Sequence, residues 1–154
     1  MTGQHFLGIY NHTLDAKGRV SVPSRFRDIL KSAYRSLEVV MVKRDGSITI
    51  FPYDEWEKFV EETQSLPQTA KKNRSYQRRV FANSTEAEID KSGRVNIPDT
   101  LLKSLGLEKD VVVVGVQNRF EIWSKAAWES FEDEEGEESE DVGRVLKVYE
   151  GGAR

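Results

Sequence analysis

Leu14-Asp15-Ala16-Lys17-Gly18-Arg19-Val20-Ser21-Val22-Pro23 returns 75 residues later as Ile89-Asp90-Lys91-Ser92-Gly93-Arg94-Val95-Asn96-Ile97-Pro98. Asp, Gly, Arg, Val and Pro keep their register in both stretches. Further on, Ile48-Thr49-Ile50-Phe51, trailed by Trp56 and Phe59, matches Phe120-Glu121-Ile122-Trp123, trailed by Trp128 and Phe131, at an offset of 72. The offset falls by three, so one loop is three residues shorter in the second copy. A recurrence of this kind is the signature of an internal duplication.

Both copies dictate the same local structure. Asp followed three residues later by Gly suits a tight turn, because the carboxylate accepts backbone N–H bonds and Gly tolerates positive φ. A hairpin tip is implied at Asp15–Gly18 and again at Asp90–Gly93. Val20 and Val22 alternate with Arg19 and Ser21, and Val95 and Ile97 with Arg94 and Asn96, the period of a half-buried strand. Pro23 and Pro98 end those strands. Helical spacing of Phe26, Ile29 and Leu30, and of Leu101, Leu102 and Leu105, predicts a short helix after each, with Gly106 as a C-terminal cap. A second pair of strands follows in each copy, Val39 to Val42 with Ser47 to Phe51, and Val111 to Val116 with Phe120 to Trp123. Asp45-Gly46 is a strong hairpin turn. Pro52-Tyr53-Asp54 and Ser124 then open helices carrying the paired aromatics.

A unit of this size buries too little of its surface to stand alone. The expectation is therefore an α+β fold, mainly β, in which two tandem units share one pseudo-twofold, barrel-like core and cover each other's strand edges. The boundaries read as residues 9–56 for the first repeat, 84–127 for the second and 132–154 for an acidic, flexible tail.

Composition narrows the function. The 154 residues contain no cysteine, which removes disulfides, thiolate nucleophiles and cysteine zinc sites. No apolar run approaches the ~20 residues of a membrane span, and the N-terminus has no signal-peptide pattern, so the expected home is the cytoplasm. The formal net charge is −3, which by itself disfavours a polyanionic partner. Its distribution reverses that inference. Eight acids and no bases lie between Glu132 and Asp141, whereas residues 1–131 hold 20 Lys/Arg against 17 Asp/Glu. Leu14 to Arg35 is locally basic, with Lys17, Arg19, Arg25, Arg27, Lys31 and Arg35 against Asp15 and Asp28.

The duplicated Asp-x-x-Gly-Arg turn, Pro52-Tyr53-Asp54-Glu55-Trp56 and Val112-Val113-Val114-Gly115-Val116-Gln117-Asn118-Arg119-Phe120-Glu121-Ile122-Trp123 together resemble the MraZ family, over roughly Phe6 to Phe131. A single copy of the turn also resembles the wider AbrB and antitoxin group. The resemblance implies an AbrB-like swapped-hairpin fold built within one chain, and ring-shaped homo-oligomers associated with the nucleoid. It also implies sequence-specific binding to short direct repeats in double-stranded promoter DNA. The implied targets are a cell-division and cell-wall gene cluster including the protein's own gene. The sequence departs from the family at Met1 to Gln4, at the connector around Ala82-Asn83-Ser84, where a Gly is expected, and in the acidic tail.

The candidate DNA-binding residues are Lys17 and Arg19 in the first copy and Lys91 and Arg94 in the second. A long basic side chain at a turn can reach a phosphate, or lay a guanidinium against guanine O6 and N7. The plainer reading is that each Arg pairs with the Asp of its own turn. Asp15, Gly18, Asp90 and Gly93 are read as turn-forming. The bases Arg25 and Arg27 lack equivalents in the second copy, which favours the first copy as the reader. Lys71-Lys72-Asn73-Arg74-Ser75-Tyr76-Gln77-Arg78-Arg79 is either a second DNA-facing surface or a solvated connector helix. The two histidines, His5 and His12, have no cysteine to complete a metal site, no cofactor fingerprint occurs, and no nucleophile, base and orienter can be assembled, so an enzyme is not expected. The alternative to a transcription regulator is an antitoxin-like protein-interaction module.

Overall fold

The structure is a computed structural model that describes residues 4–134. In the first copy, β1 (Ile9–Thr13) and β2 (Arg19–Ser21) flank the Asp15 turn. Pro23, with φ −50, precedes α1 (Ser24–Ile29), which continues as a π-helical turn over Leu30–Tyr34 and stops at Arg35 in the left-handed region. β3 (Glu38–Arg44) and β4 (Ser47–Pro52) follow. Asp45 and Gly46 between them sit at φ 54 and 78, the left-handed pair that a tight hairpin turn of the primed kind requires. α2 (Tyr53–Gln64) and α3 (Lys71–Ala82) complete the copy.

The second copy repeats the plan: β5 (Ser84–Glu88), β6 (Arg94–Asn96), α4 (Asp99–Leu105), β7 (Asp110–Gly115) and β8 (Phe120–Ser124). Gly106 caps α4 at φ 65. Asn83, within the Ala82-Asn83-Ser84 connector where a Gly is expected, has φ −102 and ψ 19. The chain there needs no left-handed residue, and the Asn83 amide instead donates to the Arg79 carbonyl at 2.6 Å. From Lys125 the chain forms a second compact unit, in which a helix over 125–134 stacks Trp128 and Phe131 with ring centroids 5.2 Å apart. The acidic run and the apolar alternation over 142–149 lie almost wholly outside the described residues. Among the described residues no helix is long and apolar enough to cross a membrane.

Strand pairing exchanges elements between the copies. A six-stranded antiparallel sheet runs β1-β7-β8-β4-β3-β5, and a separate two-stranded ribbon pairs β2 with β6. Thus β1 of the first copy adds to the second copy's hairpin, with Ile9 opposite Val114, while β5 adds to the first copy's hairpin, with Glu88 opposite Glu38. At the centre β4 pairs with β8, Ile50 opposite Phe120. The Asp15 turn does not cap a paired hairpin, because its flanking strands enter different sheets. The Leu14 N–H donates to the Lys109 carbonyl and the Ile89 N–H to the Leu37 carbonyl, so each chain passes to the other copy just before its turn.

Successive strand residues face opposite sides, and along β3, β4 and β7 both sides are buried. Val39, Met41, Ile48, Ile50, Val111, Val113, Phe120 and Ile122 face a core shared with Val20 and Val95 of the ribbon and Phe26 and Ile29 of α1. Val40, Val42 and Phe51 face the other way, against Val80 of α3 and the half-buried Trp56 and Phe59 of α2. The six-stranded sheet therefore separates the ribbon from α2 and α3. Phe6 lies at the heart of the first core, its ring 5.2 Å from Phe26 and 5.3 Å from Phe120.

Candidate nucleic-acid interface

The ribbon is only three residues deep on each strand, and its register decides what it shows. Arg19 lies opposite Asn96, Val20 opposite Val95 and Ser21 opposite Arg94. Opposed residues share a face. With Val20 and Val95 fully buried, Arg19, Ser21, Arg94 and Asn96 all stand on the outward face. Each end of the ribbon is tied to the other copy's turn. The Val22 N–H donates to the Gly93 carbonyl at 2.8 Å and the Ile97 N–H to the Gly18 carbonyl at 2.9 Å.

Both turns are built alike. Asp15 Oδ1 accepts the Lys17 and Arg19 backbone N–H groups, each at 2.9 Å. Asp90 Oδ1 accepts those of Ser92 at 2.9 Å and Arg94 at 3.0 Å. Gly18 and Gly93 take φ 76 and 80, a conformation Gly adopts without steric cost. Backbone N–H donation holds both carboxyls below the ordinary aspartate range, from the Arg19 amide foremost at Asp15 and the Arg94 amide foremost at Asp90. Burial opposes the shift at each, yet bonding to the charged form prevails.

The side chains differ. Arg19 Nε donates to Asp15 Oδ2 at 2.8 Å, and Arg94 Nη1 reaches across from the second copy to the same oxygen at 3.5 Å. Arg94 Nε stands 3.9 Å from Asp90 Oδ2. Asp15 therefore gathers both guanidiniums, half-buried, at the centre of the ribbon's outer face. The pairing of Arg19 with its own Asp is present, but it occupies the Nε edge and leaves the terminal amines of Arg19 without an acceptor among the described residues. A carboxylate used in this way orients a guanidinium without consuming it. Lys17 and Lys91 are exposed at the two tips.

Sequence reasoning missed two contributors and assigned a third to the other turn. Ser21 and Asn96 were present in the period-two pattern but gain meaning only from the β2–β6 register. Arg27, in α1 of the first copy, lies over the turn of the second. Its guanidinium carbon and one amine fall 2.6 Å from where a Cβ on Gly93 would be. At Gly18 the equivalent neighbour is Leu102 of α4, 2.9 Å from such a Cβ. The charge of Arg27 thus falls at the second turn, although its place in the chain is beside the first. Lys71, Lys72, Arg78 and Arg79 are exposed on α3, across the sheet from the ribbon, and pair with no carboxylate among the described residues.

The family described as "MraZ protein, putative antitoxin-like" matches this chain twice, over residues 5–79 and 80–147. Three relatives carry the name transcriptional regulator MraZ. One from Lachnoclostridium phytofermentans is 47% identical over 125 residues, covering 81% of this chain and 85% of the relative. One from Ligilactobacillus salivarius is 44% identical over 137 residues, covering 89% and 93%. One from Pediococcus pentosaceus is 40% identical over 141 residues, covering 92% and 96%.

Proposed function

Since this chain belongs to the MraZ family and is a transcriptional regulator, not an enzyme, we propose that it acts by laying the outer face of the β2–β6 ribbon into the major groove of promoter DNA. The observation that carries this reading is the pair of guanidiniums, Arg19 and Arg94, gathered by one carboxylate on an exposed two-stranded ribbon. A ribbon of this width fits the major groove, and an oriented guanidinium matches guanine O6 and N7. Lys17 and Lys91 at the tips serve neighbouring phosphates. Asp15, Gly18, Asp90 and Gly93 hold the turns in the shape this needs.

The binding unit is a ring of several copies engaging short direct repeats in one promoter, that of the cell-division and cell-wall cluster containing the protein's own gene. Self-association is supported by the outer edge of β1, which pairs with no further strand among the described residues and beside which Leu7 is 55% and Ile9 53% exposed. Unpaired edges with apolar flanks are sites of assembly. Linked copies on repeated sites convert modest contacts into tight binding.

A mobility-shift titration of the full chain tests the reading, using duplex DNA from upstream of its own gene against an unrelated duplex of equal length. The expected result is retarded complexes on the first at salt that abolishes them on the second, with affinity falling steeply as salt rises. Equal affinity for both duplexes at moderate salt would reject sequence-specific regulation. Light scattering on the free protein decides whether it is a ring or a monomer.

A further inference from the structure

We propose that Arg27 is a third cationic ligand of the second turn, holding a backbone phosphate of duplex DNA in a site to which both copies contribute. The inference rests on the reading of the ribbon as a DNA-contacting surface and concerns a residue outside both turn motifs.

The geometry is specific. Arg27 Nε donates to the Val22 carbonyl at 3.1 Å, which fixes one edge of the guanidinium at the point where β2 leaves the ribbon. The rest of the group lies against the backbone of Gly93, closer than any side chain there would allow. The Val22 N–H in turn donates to the Gly93 carbonyl at 2.8 Å, so the fork, β2 and the second turn form one unit. The group is half-buried, and its terminal amines meet no carboxylate and no other acceptor among the described residues.

A half-buried guanidinium anchored by one edge, with its other donors unclaimed, is oriented to receive an anion. Its neighbours strengthen the case. Gly93 lies between Lys91 at the tip and Arg94, whose guanidinium reaches across the outer face to Asp15. The phosphate backbone running beside a groove-inserted ribbon supplies planar-matched oxygens of the right charge. The first turn has no such fork, because Leu102 occupies the corresponding place against Gly18. The two turns of the pseudo-twofold are therefore unequal: the second carries Lys91, Arg94 and Arg27, the first Lys17 and Arg19.

The test measures affinity of the full chain as a function of salt, for the duplex from upstream of its own gene and for an unrelated duplex. It compares the parent, Arg27→Gln and Arg27→Lys, each with a melting curve. With Arg27 on a phosphate, Arg27→Gln lowers the salt slope by about one per protomer engaged and weakens both duplexes by a similar factor, roughly tenfold. Arg27→Lys, which keeps the charge and loses the fork, recovers most of the slope and only part of the affinity. An unchanged slope in Arg27→Gln, with or without a fall in melting temperature, overturns the proposal and leaves Arg27 a brace for Val22. Loss confined to the specific duplex also overturns it, because the contact would then be to a base. If Arg27→Gln does not fold, the Arg27→Lys comparison decides alone, equal affinity to the parent counting against the fork. A parent protein that binds neither duplex removes the ribbon reading itself, which separates that failure from this one.

Discussion

At the scale of single residues, Asp15 sets the candidate interface, since one carboxylate accepts two turn amides and both ribbon arginines. Arg19→Ala is expected to abolish specific DNA binding, because a bidentate base contact is worth about 1–3 kcal/mol and the loss recurs at every linked repeat. Stability should barely change. The ion pair it breaks is about one-third exposed on both sides, and such pairs contribute about 0–1 kcal/mol. Melting and mobility shift on the same samples separate the two effects, and binding equal to the parent would deny Arg19 its role. Arg94→Ala is expected to be comparably severe, since Arg94 shares Asp15 and sits on the more basic turn. Acid is a second probe of the same carboxylates. Both Asp15 and Asp90 are held below the ordinary aspartate range in the folded chain. A depressed carboxyl stabilises the fold above its unfolded pKa, and this contribution disappears as pH falls through the folded value. Urea melts should therefore show a steeper loss of stability below about pH 4 in the parent than in Asp15→Asn. Parallel pH profiles would mean that the turn amides gain nothing from the charge.

At the scale of elements, the close approach that matters most lies away from both turns. A Cβ on Gly115 would strike the backbone of Phe6 and Leu7, where Phe6 and Gln117 exchange backbone hydrogen bonds at 2.8 and 2.9 Å and the Gly115 N–H donates to Gly8 at 2.8 Å. Gly115→Val is expected to peel this arm from β7 and withdraw the fully buried Phe6. The cost is on the order of 3 kcal/mol, from overpacking and lost aromatic burial. A melting temperature within a degree of the parent would refute this account. Gly115 shows where sequence reading stops. Its place in the apolar Val112-to-Val116 run was visible, but the chain that crosses it is more than 100 residues away. The same holds elsewhere. The Asp15 and Asp90 turns, the Asp45-Gly46 hairpin, the Gly106 cap and the β7–β8 pair are local, and local chemistry announced them. β1 and β5 were not placed, because Ile9–Thr13 and Ser84–Glu88 are polar edge segments whose pairing is decided by the other copy. Arg27 lies at the opposite copy's turn for the same reason. Charge summed along the chain cannot anticipate an exchange that carries α1 to the opposite copy's glycine.

At the scale of the whole molecule, the exchange makes the two copies one folding unit. Each copy on its own would leave the outer side of its hairpin without an added strand, since β3 pairs with β5 and β7 with β1. It would also lose the β4–β8 seam and the β2–β6 ribbon, which draw one strand from each copy. The shared core offers no place to divide, because Val20, Phe26, Ile48 and Ile50 lie in the same cluster as Val95, Val113, Phe120 and Ile122. Fully burying a side chain of this kind contributes about 1.5–3 kcal/mol, so stripping either copy of its partners removes far more than the ~5–15 kcal/mol by which a domain is stable. The full chain is therefore expected to unfold in urea as one transition. Trp56, packed on Phe51 and Phe81, would report it by fluorescence with the same midpoint as the backbone signal in circular dichroism. A chain cut after Pro67 should have no stable monomeric state. It either remains unfolded or pairs with a second copy of itself, supplying from that copy the strands that β5, β6, β7 and β8 provide in the intact protein. Sedimentation of the fragment distinguishes these outcomes, and the concentration dependence of its melting would expose a dimer. A monomeric fragment with a cooperative melt independent of concentration would show that the first copy holds its own core, and the mutual dependence inferred from the strand exchange would be wrong.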